Sequence, residues 1–415
     1  MTDAAVTPAR LGALRHLSLG AFWLGTYFVI TPVYTIFLQV QVSQTVARPI
    51  QSTATGLATG LAGLFAMVLP PLVGFVSDRL HSPWGRRKPI IVAGAAGIAV
   101  ALLVLMGARS YPTVLLGFIL AVAFLNTAGA AYVAVIPDTV HPGESGRASG
   151  VLGLMVQAGS VLSLLTTLFF IRIGHLRLTY LVLIAVMLLT LVPSLWAMGG
   201  SETKRPVARA PGSLRSFLSP LWTGDFAWAF FTRFLTISGL YTILPFLLFA
   251  FRDLLHLRRP AGFTTLFELC LTGVAIPVAM ICGYLSDRFG RKRFVYASGA
   301  VSIFVLASFA IFQSLPQPVV LVLGMLYGVG FGAYTAVDWA LALDTLPDKE
   351  NPAKDMGLFH VADALPRVMI PLFAGALLDT FNAAAPLAGY RAIFIAAICL
   401  NFGGAFFVSR IKSVR

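Results

Sequence analysis

The chain has 415 residues, of which 58% are hydrophobic and only 11% are charged. In a soluble globular protein roughly a quarter of the residues are charged, and a soluble chain this apolar would expose large hydrophobic patches to water. The net charge of +14 would suggest nucleic acid as a partner of a soluble protein. Here the basic residues lie between long apolar runs, as in the loops of membrane proteins, so we predict a lipid bilayer and no nucleic acid as partner.

Apolar runs recur along the whole chain, and a run of about 20 residues suffices to cross a bilayer as a helix. We therefore predict an all-α membrane protein with twelve transmembrane helices. An even number places both termini on one side, and the excess of Lys and Arg in the segments on that side predicts that both are cytoplasmic. The predicted spans are residues 17–39, 53–76, 90–108, 113–136, 148–171, 178–198, 226–250, 263–285, 294–313, 319–343, 357–378 and 390–408.

The longest polar stretch follows the sixth span and contains four basic residues together with Pro206 and Pro211. Such a composition is typical of a linker. The sequence thus predicts an N-terminal six-helix bundle over residues 1–199, a cytoplasmic linker over 200–220 and a C-terminal six-helix bundle over 221–415.

Two related motifs follow the second and the eighth spans. The first is GFVSDRLHSPWGRRK (residues 74–88) and the second, half a chain later, is GYLSDRFGRKR (residues 283–293). Both read Gly-x-x-Ser-Asp-Arg followed by basic residues. Two copies at matching positions indicate an internal duplication, which is common in transporters.

This duplicated pattern resembles the signature loop of the major facilitator superfamily. The resemblance covers the whole chain and implies two pseudo-symmetric six-helix bundles that work by alternating access. The longer first loop, together with VDWALALDTLP in span ten and ADALP in span eleven, resembles the sucrose-transporter and glycoside–pentoside–hexuronide branch. That branch implies a sugar or a glycoside as the solute.

The motif residues are predicted to act as a cytoplasmic gate. Asp78 and Asp287 end their helices, where each can accept hydrogen bonds from a helix N-terminus or pair with Arg. Glu144 and Arg147, in the loop after span four, are predicted to join this gate. The alternative is that these loops only orient the chain in the membrane. The gating candidates are Gly74, Asp78, Arg79, Arg86, Arg87, Glu144, Arg147, Gly283, Asp287, Arg288 and Arg291.

Ionisable residues inside the predicted spans are candidates for proton coupling, because a charge at the bilayer centre costs about 2.5–3.5 kcal/mol. His360, Asp363 and Arg367 are spaced i, i+3, i+7, which places them on one helical face. The alternative is a neutralised structural pair. The candidates are Glu268, Asp338, His360, Asp363 and Arg367.

Polar and aromatic residues of other spans are candidates for solute binding, because a sugar has apolar ring faces and polar edges. Arg233 could bind the solute or pair with a carboxylate such as Glu268. The alternative for the aromatic residues of span one is plain packing. The candidates are Trp23, Tyr27, Thr31, Tyr34, Asn126, Gln157, Arg233, Thr236 and Tyr241.

The predicted function is a secondary active or facilitative transporter of a small polar organic solute, with a sugar or glycoside favoured, in the plasma or inner membrane. Protons are a second predicted partner, but no early span carries an acidic residue, so uniport and exchange stay open. An exporter of drugs, metabolites or lipids is one alternative, and a non-transporting assembly factor is another. We predict a monomer, no cofactor, no metal and no enzymatic activity, since neither a nucleotide-binding loop nor a nucleophile motif occurs.

Overall fold

The computed structural model describes residues 11–80, 82–135, 139–199, 218–222, 224–312, 314–347 and 352–412. These residues contain twelve helices long and apolar enough to cross a membrane and no strand, so the predicted all-α membrane fold is confirmed. The helices are α1 (Ala13–Thr45), α2 (Arg48–Ser77), α3 (Lys88–Gly107), α4 (Tyr111–Val133), α5 (Gly146–Arg172), α6 (Leu178–Met198), α7 (Gly224–Leu254), α8 (Pro260–Phe289), α9 (Arg291–Ile311), α10 (Gln317–Asp344), α11 (Asp355–Ala384) and α12 (Ala388–Val408).

Two of the helices are locally distorted near a proline. In α1 a π-helical turn, Val33–Phe37, follows Pro32 directly. In α7 a 3-10 turn, Leu244–Phe246, contains Pro245. Proline lacks the N–H that an α-helix needs, and its ring collides with the preceding turn. The regular α-helical hydrogen bonding is therefore interrupted there. Hydropathy alone predicts the length of these spans but not the distortions.

The helices form two compact units. The first comprises Met1–Phe37 and Leu64–Ala208. Within it, α1 packs against α5 and α6, and α3 packs against α4 and α6. Apolar residues and small residues fill the contacts, and Gly94 of α3 leaves just enough space for Ala128 of α4.

The second unit comprises Leu38–Gly63 and Arg209–Arg415. Within it, α7 packs against α11 and α12, and α9 packs against α10 and α12. This repeats the pattern of α1 with α5 and α6 and of α3 with α4 and α6, as expected for a duplicated bundle. Residues 38–63 of the first sequence half thus group with the second unit, and residues 200–217 of the predicted linker lie outside the described part of the chain. The two six-helix bundles predicted over residues 1–199 and 221–415 stay a prediction.

Close backbone approach holds α8 against α10. A Cβ atom on Gly328 or Gly332 of α10 would fall on the backbone carbonyl oxygen of Leu271 or Ala275 in α8. Burial against lipid adds little between membrane helices, so their association depends on this kind of contact between small residues. The glycines spaced four apart in α10 therefore form the seam with α8.

Candidate functional site

Four charged side chains meet inside the second unit, and we call them the charged network. Arg233 of α7 donates a hydrogen bond from Nη1 to Oδ2 of Asp338 in α10. Its Nη2 atom lies 3.7 Å from Oδ1 of Asp363 in α11. Arg367, one turn further along α11, places Nη2 at 2.8 Å from the other carboxylate oxygen of Asp363. Two positive and two negative charges therefore balance.

The surroundings of the network stabilise the buried charges. The Tyr334 hydroxyl donates to Oδ1 of Asp338 at 2.9 Å. The Arg233 guanidinium carbon lies 4.7 Å from the ring centre of Phe359 and 5.4 Å from that of Trp339. Aromatic faces attract a cation, and each carboxylate has an Arg partner, so the desolvation that burial imposes is largely offset.

Only one member of the network is accessible. The Arg367 side chain is 53% exposed, whereas those of Arg233, Asp338 and Asp363 are at most 10% exposed. The Arg367 guanidinium also lies 5.3 Å from the ring centre of Tyr241, and His360 is exposed on the same helix. The surface that the network presents is therefore a guanidinium beside an aromatic ring.

The structure brings together four of the charged candidates and leaves Glu268 apart. Arg233 pairs with Asp338 and Asp363 rather than with Glu268, which is buried on α8, a helix that contributes no residue to the network. Thr236 lines a small cavity of about 10 Å³, whose other polar lining residues include Ser298, Ser302, Tyr334 and Asn401. That volume holds about one water molecule. Tyr334 and Asn401 were missed at the sequence level, although a polar Asn401 within the last apolar run was a signal.

In the first unit, the aromatic candidates lie along α1. The ring centres of Trp23 and Tyr27 are 6.4 Å apart, and Tyr34 contacts Phe118 edge-on with centres 5.0 Å apart. The Thr31 hydroxyl donates to Ser160 at 3.1 Å. All four candidates of α1 are half-buried. Their role in solute binding stays a prediction.

Two other polar candidates of the first unit, Asn126 and Gln157, lie on α4 and α5. The amide nitrogen of Asn126 donates to the carbonyl of Val122 on its own helix at 2.8 Å, while Gln157 is half-buried on α5. Tyr132, which sequence reasoning did not select, stacks on Phe22 with ring centres 4.0 Å apart and donates its hydroxyl to the carbonyl of Leu19 at 2.6 Å. Tyr132 thus fixes α4 against α1.

The second signature loop forms ion pairs within its unit. Nη1 of Arg291 lies 2.7 Å from a carboxylate oxygen of Asp344, and its Nη2 lies 3.5 Å from Asp287. Arg288 lies over the ring of Tyr284 at 4.8 Å, and Gly283 faces open space. Arg291 thus joins the beginning of α9 to the ends of α8 and α10.

The first signature loop is only partly described, because the side chain of Asp78 lies outside the described residues. Nη1 of Arg87 lies 3.4 Å from the Ser77 hydroxyl, and Arg79 lies over the ring of Phe75. Arg86 is half-buried, Gly74 faces open space, and Arg147 is exposed. Glu144 accepts a hydrogen bond from the backbone N–H of Leu11 at 2.9 Å and lies 3.7 Å from His16. The gating role of these residues stays a prediction.

A second polar group, which the sequence did not reveal, lies at the opposite end of the second unit from Arg291, and we call it the Asp253 cluster. Asp253, near the end of α7, accepts hydrogen bonds from Arg48 at 2.6 Å, from Arg252 at 2.8 Å and from the Tyr390 hydroxyl at 2.6 Å. Arg252 also donates to Gln51 of α2 at 2.6 Å. One carboxylate therefore joins the beginnings of α2 and α12 to the end of α7.

Replacing Asp253 with asparagine is expected to lower stability by about 2 kcal/mol, because charge-assisted hydrogen bonds contribute about 1.5–3 kcal/mol. Thermal unfolding in detergent would measure the change. Arg48→Gln is the matched control: its side chain is 71% exposed, and exposed ion pairs contribute at most about 1 kcal/mol. Equal losses in the two variants would show that Asp253 is not the centre of the cluster.

Comparison with known proteins identifies relatives of this chain. The family model described as Major Facilitator Superfamily matches residues 17–353 and 265–414. Among curated proteins, a sucrose transport protein of Arabidopsis thaliana is 51% identical over 45 residues, which is 11% of this chain and 8% of that protein. The chain thus matches less than a tenth of the length of this relative.

Solved structures share the fold over nearly the whole chain. The nucleoside transporter NupG is 14% identical, with a TM-score of 0.70 over 97% of this chain and 100% of that chain. A bacterial homolog of the human lysosomal transporter Spinster, inward-facing and unoccupied, is 14% identical, with a TM-score of 0.69 over 97% and 95%. The POT family transporter PepTSo is 11% identical, with a TM-score of 0.70 over 95% and 97%. At these identities the likeness concerns the fold alone.

Proposed function

The chain belongs to the major facilitator superfamily, and from this premise we propose that it carries a small polar organic solute, a sugar or glycoside, across a membrane by alternating access. The family and the twelve helices indicate a multi-pass membrane transport protein. The kind of solute is our inference from the residues and from the short likeness to a sucrose transport protein.

The observation that carries the proposal is the charged network on α7, α10 and α11. Charges within membrane helices are costly and mark solute or proton pathways by default. Arg233 is shared between Asp338 and Asp363, and only Arg367 is accessible. A solute that binds Arg367 can thus alter the pairing of buried charges, which links solute binding to the packing of three helices.

The aromatic ring of Tyr241 supports a hydroxyl-rich solute. It lies beneath the Arg367 guanidinium, so one side of the accessible surface is an apolar face and the other a hydrogen-bond donor. Sugar rings offer the complementary pair of an apolar face and polar edges. Thr236, one helical turn past Arg233 on α7, is half-buried and adds a hydroxyl.

Orientation and coupling are part of the same proposal. The basic segments between the helices favour cytoplasmic termini in a plasma or inner membrane, which would place Arg291 on the cytoplasmic side and the Asp253 cluster on the outer side. Asp363 and Asp338 are the proposed proton carriers, with Glu268 and His360 as further candidates. We propose a monomer as the transporting species.

Transport into proteoliposomes tests the proposal. Purified protein should give saturable uptake of at least one radiolabelled sugar or glycoside from a panel that also contains a nucleoside and a lipophilic drug. Coupling predicts that an inward proton gradient raises this uptake several-fold and that a proton ionophore removes the increase, whereas gradient-independent flux would indicate uniport.

Protein-free liposomes set the background for this assay. Saturable uptake of the nucleoside or the drug, with none of any sugar, would contradict the proposed solute and favour the exporter alternative. The absence of flux for every solute in the panel would favour a non-transporting role.

A further inference from the structure

The accessible member of the charged network is a cation. Arg367 is half-exposed, while both carboxylates of the network are buried and already paired with Arg. A guanidinium offers a planar fork of N–H donors that matches a carboxylate with two parallel hydrogen bonds. The Nη2 atom of Arg367 lies 2.8 Å from Asp363, and 53% of the side chain is exposed, so a solute can reach the guanidinium.

A second and independent concentration of positive charge lies at the end of the second unit that bears the Asp253 cluster. Here an open pocket of about 620 Å³ is lined by Arg48, Arg252, His256 and Arg258. Asp253 pairs with two of these arginines, whereas Arg258 and His256 form no hydrogen bond or ion pair with a described residue.

The positive pocket runs against the usual distribution of charge in membrane proteins. In the orientation proposed above, this end faces outward, where Lys and Arg are normally sparse. A cleft lined by one sign of charge raises the local concentration of ligands of the opposite sign and speeds their association. The placement of these arginines is therefore explained if the molecules that approach from this side are anions.

We infer that the solute carries a carboxylate, which binds Arg367 in place of Asp363. This inference rests on the proposed function and narrows it from a polar solute to an anionic one, such as a sugar acid. The Tyr241 ring beside Arg367 would contact the carbon skeleton of the solute. The pocket around Arg258 would raise the local concentration of the anion on the side from which it approaches.

The balance of charge in the network then requires that a proton binds together with the solute. Without solute, Arg233 and Arg367 balance Asp338 and Asp363. When the solute carboxylate takes Arg367, the buried network holds one negative charge too many, and an unpaired buried charge is strongly unfavourable. Uptake of one proton by Asp363 restores neutrality, so one anion and one proton would move together without net charge.

The groups that face Asp363 are consistent with this exchange. Arg233 approaches it from α7, and Asp338 with Tyr334 lies beyond Arg233 on α10. Arg367 and His360 lie on its own helix, α11. From α12, the titratable Tyr390 donates to Asp253 and Arg391 is exposed. In the part of α2 that belongs to this unit, residues 48–63, the charged residue is Arg48, which pairs with Asp253. Asp363 is thus the carboxylate whose ion-pair partner is accessible to the solute.

Uptake of gluconate compared with uptake of sorbitol, its uncharged counterpart, tests the inference in proteoliposomes. We expect gluconate to be taken up with a kcat/KM at least about tenfold higher, since charge-assisted hydrogen bonds contribute about 1.5–3 kcal/mol and each 1.4 kcal/mol is tenfold. An inward proton gradient should raise gluconate uptake, and a potassium diffusion potential set with valinomycin should leave it unchanged.

Variants assign the preference to Arg367. Arg367→Gln should remove the preference for gluconate, Arg367→Lys should retain part of it, and Arg391→Gln, which removes an exposed charge at the start of α12, should leave it intact. Arg258→Gln should raise the KM for gluconate at low salt and not at high salt, because steering by exposed charges is screened. Size-exclusion chromatography checks that each variant is folded.

The outcomes separate this inference from the proposed function. Uptake of sorbitol or a neutral sugar at least as fast as that of gluconate would overturn the anionic solute and leave sugar transport standing. The same would follow from an unchanged preference in folded Arg367→Gln. Saturable flux of neither class would overturn both.

Discussion

Replacement of Arg233 with methionine is expected to abolish transport and to lower stability by about 3–5 kcal/mol. Removing one partner of a buried ion pair leaves the other charge uncompensated, which costs about that amount. Here the loss is centred on Asp338, whose remaining partner is the Tyr334 hydroxyl, because Asp363 keeps Arg367. Thermal unfolding in detergent and uptake into proteoliposomes would measure the two effects.

A double variant separates the structural from the transport role of Arg233. Arg233→Met combined with Asp338→Asn removes both charges of the pair, so most of the stability should return, since apolar or neutral replacements of a complete buried pair are tolerated. Transport should remain lost, because the link between the accessible Arg367 and α10 is gone. If Arg233→Met alone is as stable as the parent protein and transports at the parent rate, the network has neither role.

The sequence was sufficient to predict the fold because its signals are local. Span lengths follow from hydropathy, and the two Gly-x-x-Ser-Asp-Arg motifs reveal the repeat. Spacing within one helix also predicted that Asp363 and Arg367 are neighbours, since residues four apart share a helical face. Signals of this kind depend on nothing outside the segment in which they occur.

The partners between helices could not be predicted in the same way. Arg233 lies one hundred residues or more from Asp338 and Asp363 along the chain, and composition does not distinguish them from Glu268, which is equally buried. The Asp253 cluster was missed for a related reason. Asp253, Arg48 and Tyr390 lie at span ends, where polar residues are common, so nothing in the sequence marks them as contacts.

Replacement of Gly56 with alanine is expected to prevent the close packing of α2 against α11 within the second unit. A Cβ atom there would fall on the carbonyl oxygen of Pro371 and within 2.9 Å of its carbonyl carbon. Both are backbone atoms, which cannot rotate away, and overpacking of this kind costs about 1–3 kcal/mol. If transport requires this close contact between α2 and α11, the added methyl group disfavours the state that contains it, and uptake should fall about tenfold or more.

Cysteine labelling at the same seam would show the cause of that loss. Ser52, which is 2% exposed and contacts Gly375 through its backbone, is replaced by cysteine in a background without Cys270, Cys282 and Cys399. A thiol reagent should label this position slowly in the parent and about tenfold faster in Gly56→Ala. Gly273→Ala is the matched control, since a Cβ atom on Gly273 of α8 meets nothing within 4 Å.

Parent-like labelling and uptake in Gly56→Ala would mean that α2 and α11 accommodate the added methyl group, and that their contact does not limit transport. Faster labelling with loss of uptake would instead establish that the close packing of α2 against α11, beside the Asp253 cluster, is required for transport.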